Sequence, residues 1–337
     1  HIALALAQQL VGSSTAPRVL LLTSDVLALG GTAANAAHGG VWGFARVLRL
    51  EHPALRTQTT DAARIAIDAP LRSVLTFATE AEAAWAGDVH VVARLRACAR
   101  LSKWSMSIAS GLYPVTGGLG GLGLRAALLL VESGASHVLL ASRSGCVARN
   151  GQGLEAQLQR MGARASAFMC DSADASDTKA LFCANLLTGV LHAAGVGDKG
   201  LLKELDAQRA RWMYASKAMG ASHLQFAVFG TPLDTRVLFS SVGSGLGNVG
   251  QANYAAGNAC LDAHAHAQRA RGTAACCLQW PVVSGAGMGA AAFSAMGQRQ
   301  VSIAGLAGIS LEEYAACVGA QLAVRSAGVA QSVQVVH

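Results

Sequence analysis

The stretch Thr116-Gly-Gly-Leu-Gly-Gly-Leu-Gly123 is the strongest indication of the fold in this sequence. It contains the pattern Gly-x-Gly-x-x-Gly at 118–123, between a predicted strand at 112–116 and a predicted helix at 122–133. Glycine suits such a turn because the chain takes unusual dihedral angles there and its backbone must approach a pyrophosphate closely. The N-terminus of the following helix supplies unpaired N–H groups and the positive end of the helix dipole. The motif in this place predicts a dinucleotide site, whereas the motif alone would also suit a plain glycine turn.

Short apolar strands alternate with helices after this motif. The predicted strands are 138–141, 165–170, 190–194, 236–240 and 274–279, and the predicted helices are 154–161, 178–187, 206–226 and 254–271. This alternation predicts an α/β fold with a doubly wound parallel sheet of the Rossmann type. After Trp280 the chain becomes rich in glycine and alanine, which favours a mobile lid or substrate loop from about residue 281 over a core element.

The first hundred residues also follow an α/β pattern, but they contain no glycine-rich turn that opens a helix. The apolar spacing predicts helices at 2–10 and 39–50 and strands at 18–23 and 89–95. The polar and basic stretch 97–110 has no clear period and is interpreted as a linker. We therefore expect two domains, 1–105 and 106–337, and only the second is expected to bind the cofactor.

The residues about twenty positions after the glycines indicate which dinucleotide is bound. An NAD site places a carboxylate there, whereas an NADP site needs a cation for the 2′-phosphate. The sequence has Ala141-Ser-Arg-Ser144 at this place, so Arg143 predicts NADPH, with a solvated surface arginine as the alternative. Asp171 ends the third strand and lies either beside the adenine or at a helix cap. The expected cofactor contacts are Thr116, Gly118, Leu119, Gly120, Gly121, Leu122, Gly123, Ser142, Arg143, Asp171, Ser172, Ala193, Ala194 and Gly195.

Four polar residues further along the chain form a candidate proton-delivery set. Tyr254 and Asn258 are four positions apart on a predicted helix and project from one face. Ser241 ends the preceding strand, at the edge where doubly wound sheets bind ligands, and Lys217 lies on the helix before that strand. An ammonium group lowers the pKa of a nearby phenol, and a serine hydroxyl can bond a substrate carbonyl. Each residue alone would be unremarkable, since a lone tyrosine on a helix more often packs than acts as an acid, and it is their joint placement beside a cofactor motif that favours chemistry.

Composition excludes several classes of protein. Of the 337 residues, 52% are hydrophobic and 13% are charged, so the chain can repay its ordering entropy by burial and is not intrinsically disordered. Its apolar runs are far shorter than the roughly 18 to 20 residues of a membrane span. The net charge is +7, but the basic residues are scattered, which argues against nucleic-acid binding and leaves an ordinary surface or an acidic protein partner. The eight cysteines show no C-x-x-C or zinc spacing, so we expect no metal and a reducing, cytoplasmic setting.

The sequence resembles the ketoreductase domains of modular polyketide synthases, within the short-chain dehydrogenase/reductase superfamily. The matching stretches are TGGLGGLG (116–123), ASRSG (141–145), HAAGV (192–196), SKAMGASHL (216–224), FSSVGSGLGNVGQANYAAGNACLDA (239–263) and LQW (278–280). The stretch HGGVWGFARVLRLEHPAL (38–55) is similar to that family's structural subdomain, a degenerate Rossmann half without a cofactor. The resemblance implies that this subdomain is truncated here, without its usual first half.

The resemblance also implies a role for each member of the polar set. Tyr254 is implied to be the general acid that protonates the nascent alkoxide, and Ser241 to bind the carbonyl oxygen. Lys217 and Asn258 are implied to position the cofactor and the proton relay, in an order that inverts the superfamily's usual Tyr-x-x-x-Lys. The implied substrate is a β-ketoacyl chain on the phosphopantetheine arm of an acyl carrier protein, with the other synthase domains as further partners.

Several residues depart from the family pattern. The stereochemistry signature Leu-Asp-Asp is replaced by Gly197-Asp198-Lys199, and Leu246 stands where the opposite class has tryptophan, so the product configuration stays open. The segment 171–192 looks about one helical turn short, roughly four residues. Two alternatives therefore accompany the reductase interpretation. One is a catalytically silent scaffold of the same fold, and the other is a free-standing short-chain reductase of a small ketone.

Overall fold

The computed structural model describes residues 2–13, 15–27, 35–62, 80–86, 89–95, 108–148, 153–183, 186–285, 287, 308–323 and 333–334. The strands are β1 (Leu20–Ser24), β2 (Gln58–Ala62), β3 (Glu82–Ala86), β4 (Val89–Val91), β5 (Leu112–Thr116), β6 (His137–Ser142), β7 (Ala165–Met169), β8 (Gly189–His192), β9 (Thr235–Ser241), β10 (Ala275–Trp280) and β11 (Val333–Gln334). The α-helices are α1 (Ile2–Val11), α2 (Gly39–Glu51), α3 (Gly121–Glu132), α4 (Leu154–Met161), α5 (Ala175–Phe182), α6 (Ala207–Tyr214), α7 (Gly220–Ala227), α8 (Val242–Leu246), α9 (Ala252–Ala270) and α10 (Leu311–Ala323). A π-helical segment, Ala215–Met219, joins α6 to α7. None of the helices in these ranges is long and apolar enough to cross a membrane.

The chain forms two compact units that do not follow one another along the sequence. The first unit comprises His1–Ala99, Asp198–Tyr214 and Gly243–Thr273, and the second comprises Arg100–Gly197, Ala215–Val242 and Ala274–His337. Two segments from beyond residue 106 thus join the first unit, because α6 packs on α9 and α9 packs on α2. The expected boundary between 105 and 106 and most of the expected linker lie outside the described residues.

The second unit contains a seven-stranded parallel sheet in the order β11-β10-β9-β8-β5-β6-β7. Its strands are nearly all apolar, as expected for strands that are covered on both faces. Alternate side chains enter two separate cores: Leu140 lies in the cluster with α3, α4 and α10, and Ala141 lies in the cluster with α5 and α7. The predicted α/β fold with a doubly wound parallel sheet is therefore confirmed.

The structure corrects the expectation that the chain after Trp280 is a lid without core elements. The helix α10 places Tyr314, Val318 and Leu322 in the main core, where the Tyr314 ring lies 4.6 Å from the Trp280 ring. The spacing of these three residues is that of one helix face, so burial rather than composition decides their structure. Most of the remaining expected lid, 288–307, lies outside the described residues.

A second correction concerns the helix expected at 178–187. The helix α5 begins three residues earlier, because the Asp174 carboxylate caps it by accepting the N–H groups of Ser176 and Asp177 at 2.7 and 3.0 Å. It also ends earlier, since Leu187 forms a parallel bridge with Leu112 at the edge of the sheet.

The first unit contains a four-stranded sheet in the order β1-β2-β3-β4, of which only β4 is antiparallel to its neighbour. Its helices α2 and α9 pack very closely through small residues. A Cβ atom at Gly43 would lie 2.2 Å from the Ala255 carbonyl oxygen, and one at Gly39 would lie 2.3 Å from the Ala263 Cβ. Larger residues at these two positions would push the helices apart, so α2 determines how α9 is held.

Candidate cofactor and catalytic site

The glycine-rich loop of the second unit is built so tightly that side chains do not fit in it. Gly117 has a φ of +69°, and a Cβ atom there would lie 2.5 Å from the Ala194 nitrogen. A Cβ atom at Gly123 would lie 2.2 Å from the Gly117 carbonyl oxygen. The helix α3 begins directly after Gly120, which offers no side chain to cap it. The first N–H groups of α3 therefore have no capping side chain. The loop and these N–H groups (residues 116–123), called here the glycine-rich cradle, fit the pyrophosphate of a dinucleotide.

The ends of three neighbouring strands meet at this loop. The Thr116 hydroxyl lies 2.7 Å from His192 Nδ1, and the Gly118 N–H donates to the Ala141 carbonyl at 3.1 Å. Ala193 donates its N–H to the Thr116 carbonyl at 2.9 Å. The structure thus brings together the predicted contacts that follow β5, β6 and β8, at the edge where parallel α/β sheets bind their ligands.

Arg143 lies in the turn that follows β6. Its side chain is exposed and forms no hydrogen bond with another described residue. The segment after it returns to the glycine-rich loop, where the Ala148 N–H donates to the Leu119 carbonyl at 2.8 Å. The guanidinium is therefore available for a phosphate, and the assignment of this phosphate to NADPH remains a proposal.

Asp171 and Ser172 follow β7. The Asp171 carboxylate accepts the Ala173 N–H at 3.0 Å, while Asp174 caps α5, so Asp171 is not the cap of that helix. Ser172 is buried, and its hydroxyl lies 3.5 Å from the Ser216 carbonyl, to which it donates. Contact of either residue with a cofactor remains a prediction.

Lys217 lies in the π-helical segment of the second unit and is buried. Its Nζ donates to the Phe239 carbonyl of β9 at 3.2 Å. A Cβ atom at Gly195 would lie 2.8 Å from the same Nζ, so the ammonium lies against the predicted cofactor segment 193–195. Single π-helical turns are frequent at functional sites. Ser241 is half-buried at the end of β9, two residues after Phe239.

Tyr254 and Asn258 belong to the first unit, in the first two turns of α9. Asn258 is fully buried, and its Nδ2 donates to the Tyr254 carbonyl at 2.9 Å, while the Tyr254 side chain is half-buried. The four residues of the predicted proton-delivery set are thus divided between the units. Lys217 and Ser241 are in the second unit, and Tyr254 and Asn258 are in the first.

One feature beside Tyr254 was not expected from the sequence. The Asp198 carboxylate accepts hydrogen bonds from Arg209 Nη2 at 2.7 Å and from Asn253 Nδ2 at 2.6 Å. Burial raises the pKa of Asp198, but these hydrogen bonds and the Arg209 charge outweigh it, so the pKa is lowered from its usual value. From the sequence, Asp198 was noted only as part of the Gly197-Asp198-Lys199 signature. Nothing in the spacing of residues 198, 209 and 253 indicates that their side chains are in contact.

Comparison with known proteins identifies the family. A family model described as the KR domain matches residues 111–285. The spectinabilin polyketide synthase system protein NorB of Streptomyces orinoci is 41% identical over 220 residues, which are 64% of this chain and 10% of that protein. The pikromycin polyketide synthase component PikAIII of Streptomyces venezuelae is 35% identical over 282 residues, which are 80% of this chain and 18% of that protein. The chain therefore spans less than a fifth of either relative.

A solved structure shows the same architecture. The structure of A-type ketoreductases from a modular polyketide synthase superposes with a TM-score of 0.82 at 31% identity, and covers 95% of this chain and 70% of that one. The family model covers more than half of the present sequence. This chain therefore belongs to the KR family, the ketoreductase domains of polyketide synthases, which are oxidoreductases of the short-chain dehydrogenase/reductase type that use a nicotinamide cofactor.

Proposed function

We propose that this chain uses NADPH to reduce a β-ketoacyl thioester to the β-hydroxyacyl thioester while the substrate is carried by an acyl carrier protein. The observation that carries the proposal is the glycine-rich cradle of the second unit, with the buried Lys217 ammonium against the neighbouring 193–195 segment. In hydride transfer the cofactor carries the chemistry, and the protein contributes binding, orientation and electrostatics, which a dinucleotide cradle and a neighbouring cation can supply.

The cofactor contacts follow from this cradle. Residues 118–123 would hold the pyrophosphate at the N-terminus of α3, and the exposed Arg143 guanidinium would bind the 2′-phosphate. Ser142, Asp171, Ser172 and the 193–195 segment would line the rest of the dinucleotide. NADPH, when bound, supplies the hydride that reduces the carbonyl carbon.

The chain's own residues supply the proton. Ser241 would donate a hydrogen bond to the carbonyl oxygen, and Tyr254 would give its phenolic proton to the alkoxide that forms when the hydride arrives. The Lys217 ammonium would favour the resulting phenolate, since a cation lowers the pKa of a phenol. Asn258, which is anchored to the Tyr254 carbonyl, would keep Tyr254 and the proton relay in place.

The proposed partners follow from the relatives, which are polyketide synthase components much longer than this chain. We propose an acyl carrier protein with its phosphopantetheine-bound acyl chain, and other synthase domains, as the partners. We also propose a cytoplasmic setting, from the cysteine usage of the sequence.

Turnover of a model β-ketoacyl thioester tests the proposal. We expect the 337-residue chain to oxidise NADPH only when the thioester is present, and Tyr254→Phe to lower turnover at least about a hundredfold while NADPH still binds. The matched control is Tyr113→Phe, which removes a hydroxyl that is bonded to the Ala109 carbonyl in the core, and which should retain turnover.

Other outcomes select the alternatives. A folded wild-type chain that binds NADPH but never oxidises it would be a silent scaffold. Turnover of small ketones in preference to the thioester would indicate a free-standing reductase. Unchanged turnover of Tyr254→Phe would reject Tyr254 as the acid.

A further inference from the structure

We propose that Asp198 is a positioning residue for Tyr254 and acts through the side-chain amide of Asn253. This inference rests on the proposed role of Tyr254 and concerns residues of the first unit only. Four groups form a continuous chain: the Arg209 guanidinium, the Asp198 carboxylate, the Asn253 amide and the Tyr254 backbone N–H.

The start of α9 explains why Asn253 matters. The first N–H groups of a helix have no partner within the helix, and the N-cap side chain usually accepts one of them. The N-cap residue of α9 is Gln251, whose side chain makes no such bond. The Tyr254 N–H donates instead to Asn253 Oδ1 at 2.8 Å. The amide of Asn253 thus replaces the missing cap at the residue that carries the proposed acid.

The orientation of this amide is determined by its two partners. Asn253 is buried, and its Nδ2 donates to Asp198 Oδ2 at 2.6 Å while its Oδ1 accepts the Tyr254 N–H. A carboxylate can only accept and a backbone N–H can only donate, so a flipped amide would lose both hydrogen bonds. Because the Asp198 carboxylate accepts from Nδ2 of Asn253, it holds Oδ1 of the same amide towards the Tyr254 N–H.

Arg209 in turn fixes the carboxylate. Its Nε donates to Asp198 Oδ2 at 3.1 Å and its Nη2 to Asp198 Oδ1 at 2.7 Å, in the two-pronged geometry that holds a carboxylate most rigidly. The same guanidinium donates to the carbonyls of Lys199 and Glu204 at 2.7 and 3.2 Å. A carboxylate held at this end of α9 is also favoured by the helix dipole.

Three variants test the inference on the full 337-residue chain. Asp198→Asn removes the charge without changing the shape. Asn253→Asp keeps an acceptor for the Tyr254 N–H but sets a second carboxylate against Asp198. The double variant Asp198→Asn/Asn253→Asp restores the pair in reverse, because the new amide at 198 can donate to the new carboxylate at 253. The matched control is Asp206→Asn, the same change at an exposed carboxylate that accepts the Arg209 backbone N–H at 2.7 Å.

We expect each single variant to lower kcat at least about tenfold, with the Kd for NADPH within about twofold of wild type, because small misplacements of a catalytic group are costly. Amide hydrogen exchange at Tyr254 should accelerate in both single variants, because the disturbed contact with residue 198 no longer holds the acceptor at 253 against the Tyr254 N–H. The double variant should recover most of kcat and of the exchange protection, and Asp206→Asn should resemble wild type in both.

Two results would overturn the inference: single variants that exchange at Tyr254 as slowly as wild type, or a double variant that is no better than the worse single one. The exchange measurement needs no turnover. If wild type does not reduce the thioester, the proposed function fails, and the role of Asp198 in holding Tyr254 is still decided by the exchange rates.

Discussion

The two units differ in what accepts the backbone N–H groups beyond the end of a parallel strand. In the first unit the Asp61 carboxylate of β2 accepts the N–H groups of Val26 and Leu27, just beyond β1, at 3.1 and 2.9 Å. It also accepts the Thr23 hydroxyl at 2.7 Å, and Asp61 is buried. In the second unit the loop after β5 leads into α3, whose first N–H groups have no capping side chain, because the N-cap residue is Gly120.

This difference indicates why only one of two similar sheets would bind a dinucleotide. N–H groups that are left over at a strand end attract an anion. The first unit supplies that anion from its own chain and buries it, whereas in the second unit the proposed cofactor pyrophosphate would supply it. The structural subdomain that was expected to lack a cofactor is thus the unit in which the Asp61 carboxylate already accepts the N–H groups at the strand end.

The largest effect is expected from adding a side chain within the glycine-rich cradle of the second unit. Gly123→Ala should weaken NADPH binding at least about a hundredfold, because its Cβ would lie 2.2 Å from the Gly117 carbonyl oxygen and the loop would have to move. Calorimetric titration measures this. Gly120→Ala is the matched control, since its Cβ would lie 3.3 Å from the same oxygen and should cost less than about tenfold. Equal losses in both variants would show that steric fit does not decide binding.

A smaller effect is expected from removing the Asp61 carboxylate at the corresponding strand end of the first unit. Asp61→Ala leaves the Val26 and Leu27 N–H groups without their acceptor and leaves the Thr23 hydroxyl only its longer hydrogen bond to the Thr60 carbonyl. It should lower the free energy of unfolding by about 2 kcal/mol. Urea unfolding measures this change. NADPH affinity should be unchanged, and a loss of affinity comparable with that of Gly123→Ala would contradict the contrast between the units.

A third effect is a pH dependence of stability that belongs to the first unit. Burial lowers the pKa of His264 and of His266 to about 4, with Arg271 and Arg269 adding repulsion. The unfolded chain binds these protons near pH 6.5, so stability is complete above that pH and falls as the pH drops from 6.5 towards 4, by roughly 2.5 kcal/mol for each histidine.

The measurement is urea unfolding of wild type and His266→Gln at pH 7 and pH 5. The variant should lose less stability than wild type between the two pH values. If both proteins lose the same amount, His266 does not carry the pH dependence.

The second unit is predictable from the sequence because local pattern and tertiary packing agree there. The bounds of β5 and α4 are those expected, since an apolar run and an amphipathic period each match one structure. The strand β2 was not predicted, because its polar sequence Gln-Thr-Thr-Asp-Ala is buried and is satisfied partly by hydrogen bonds such as that from Thr23 to Asp61. The helix α10 was missed because the whole chain after Trp280 was interpreted from its glycine-rich start, although Leu311–Ala323 itself contains one glycine and no proline.

The candidate site divides in the same way. The glycine-rich loop can be predicted from the sequence because its chemistry depends on residues that are adjacent in the chain. The Asp198–Arg209–Asn253 network cannot be predicted in this way, because it depends on the packing of α6 against α9, which no local sequence pattern indicates. Lys217 lies between these cases, since the sequence indicates the residue but not the π-helical segment that points its Nζ to the Phe239 carbonyl.

Binding of NADPH by the second unit is tested by equilibrium titrations of wild type and Arg143→Glu with NADPH and with NADH. We expect wild type to bind NADPH at least about tenfold more tightly than NADH, as expected for a guanidinium that binds a phosphate. Arg143→Glu should then weaken NADPH binding at least about tenfold and leave NADH binding nearly unchanged. Equal affinities in wild type, or equal losses for both cofactors in the variant, would contradict this expectation.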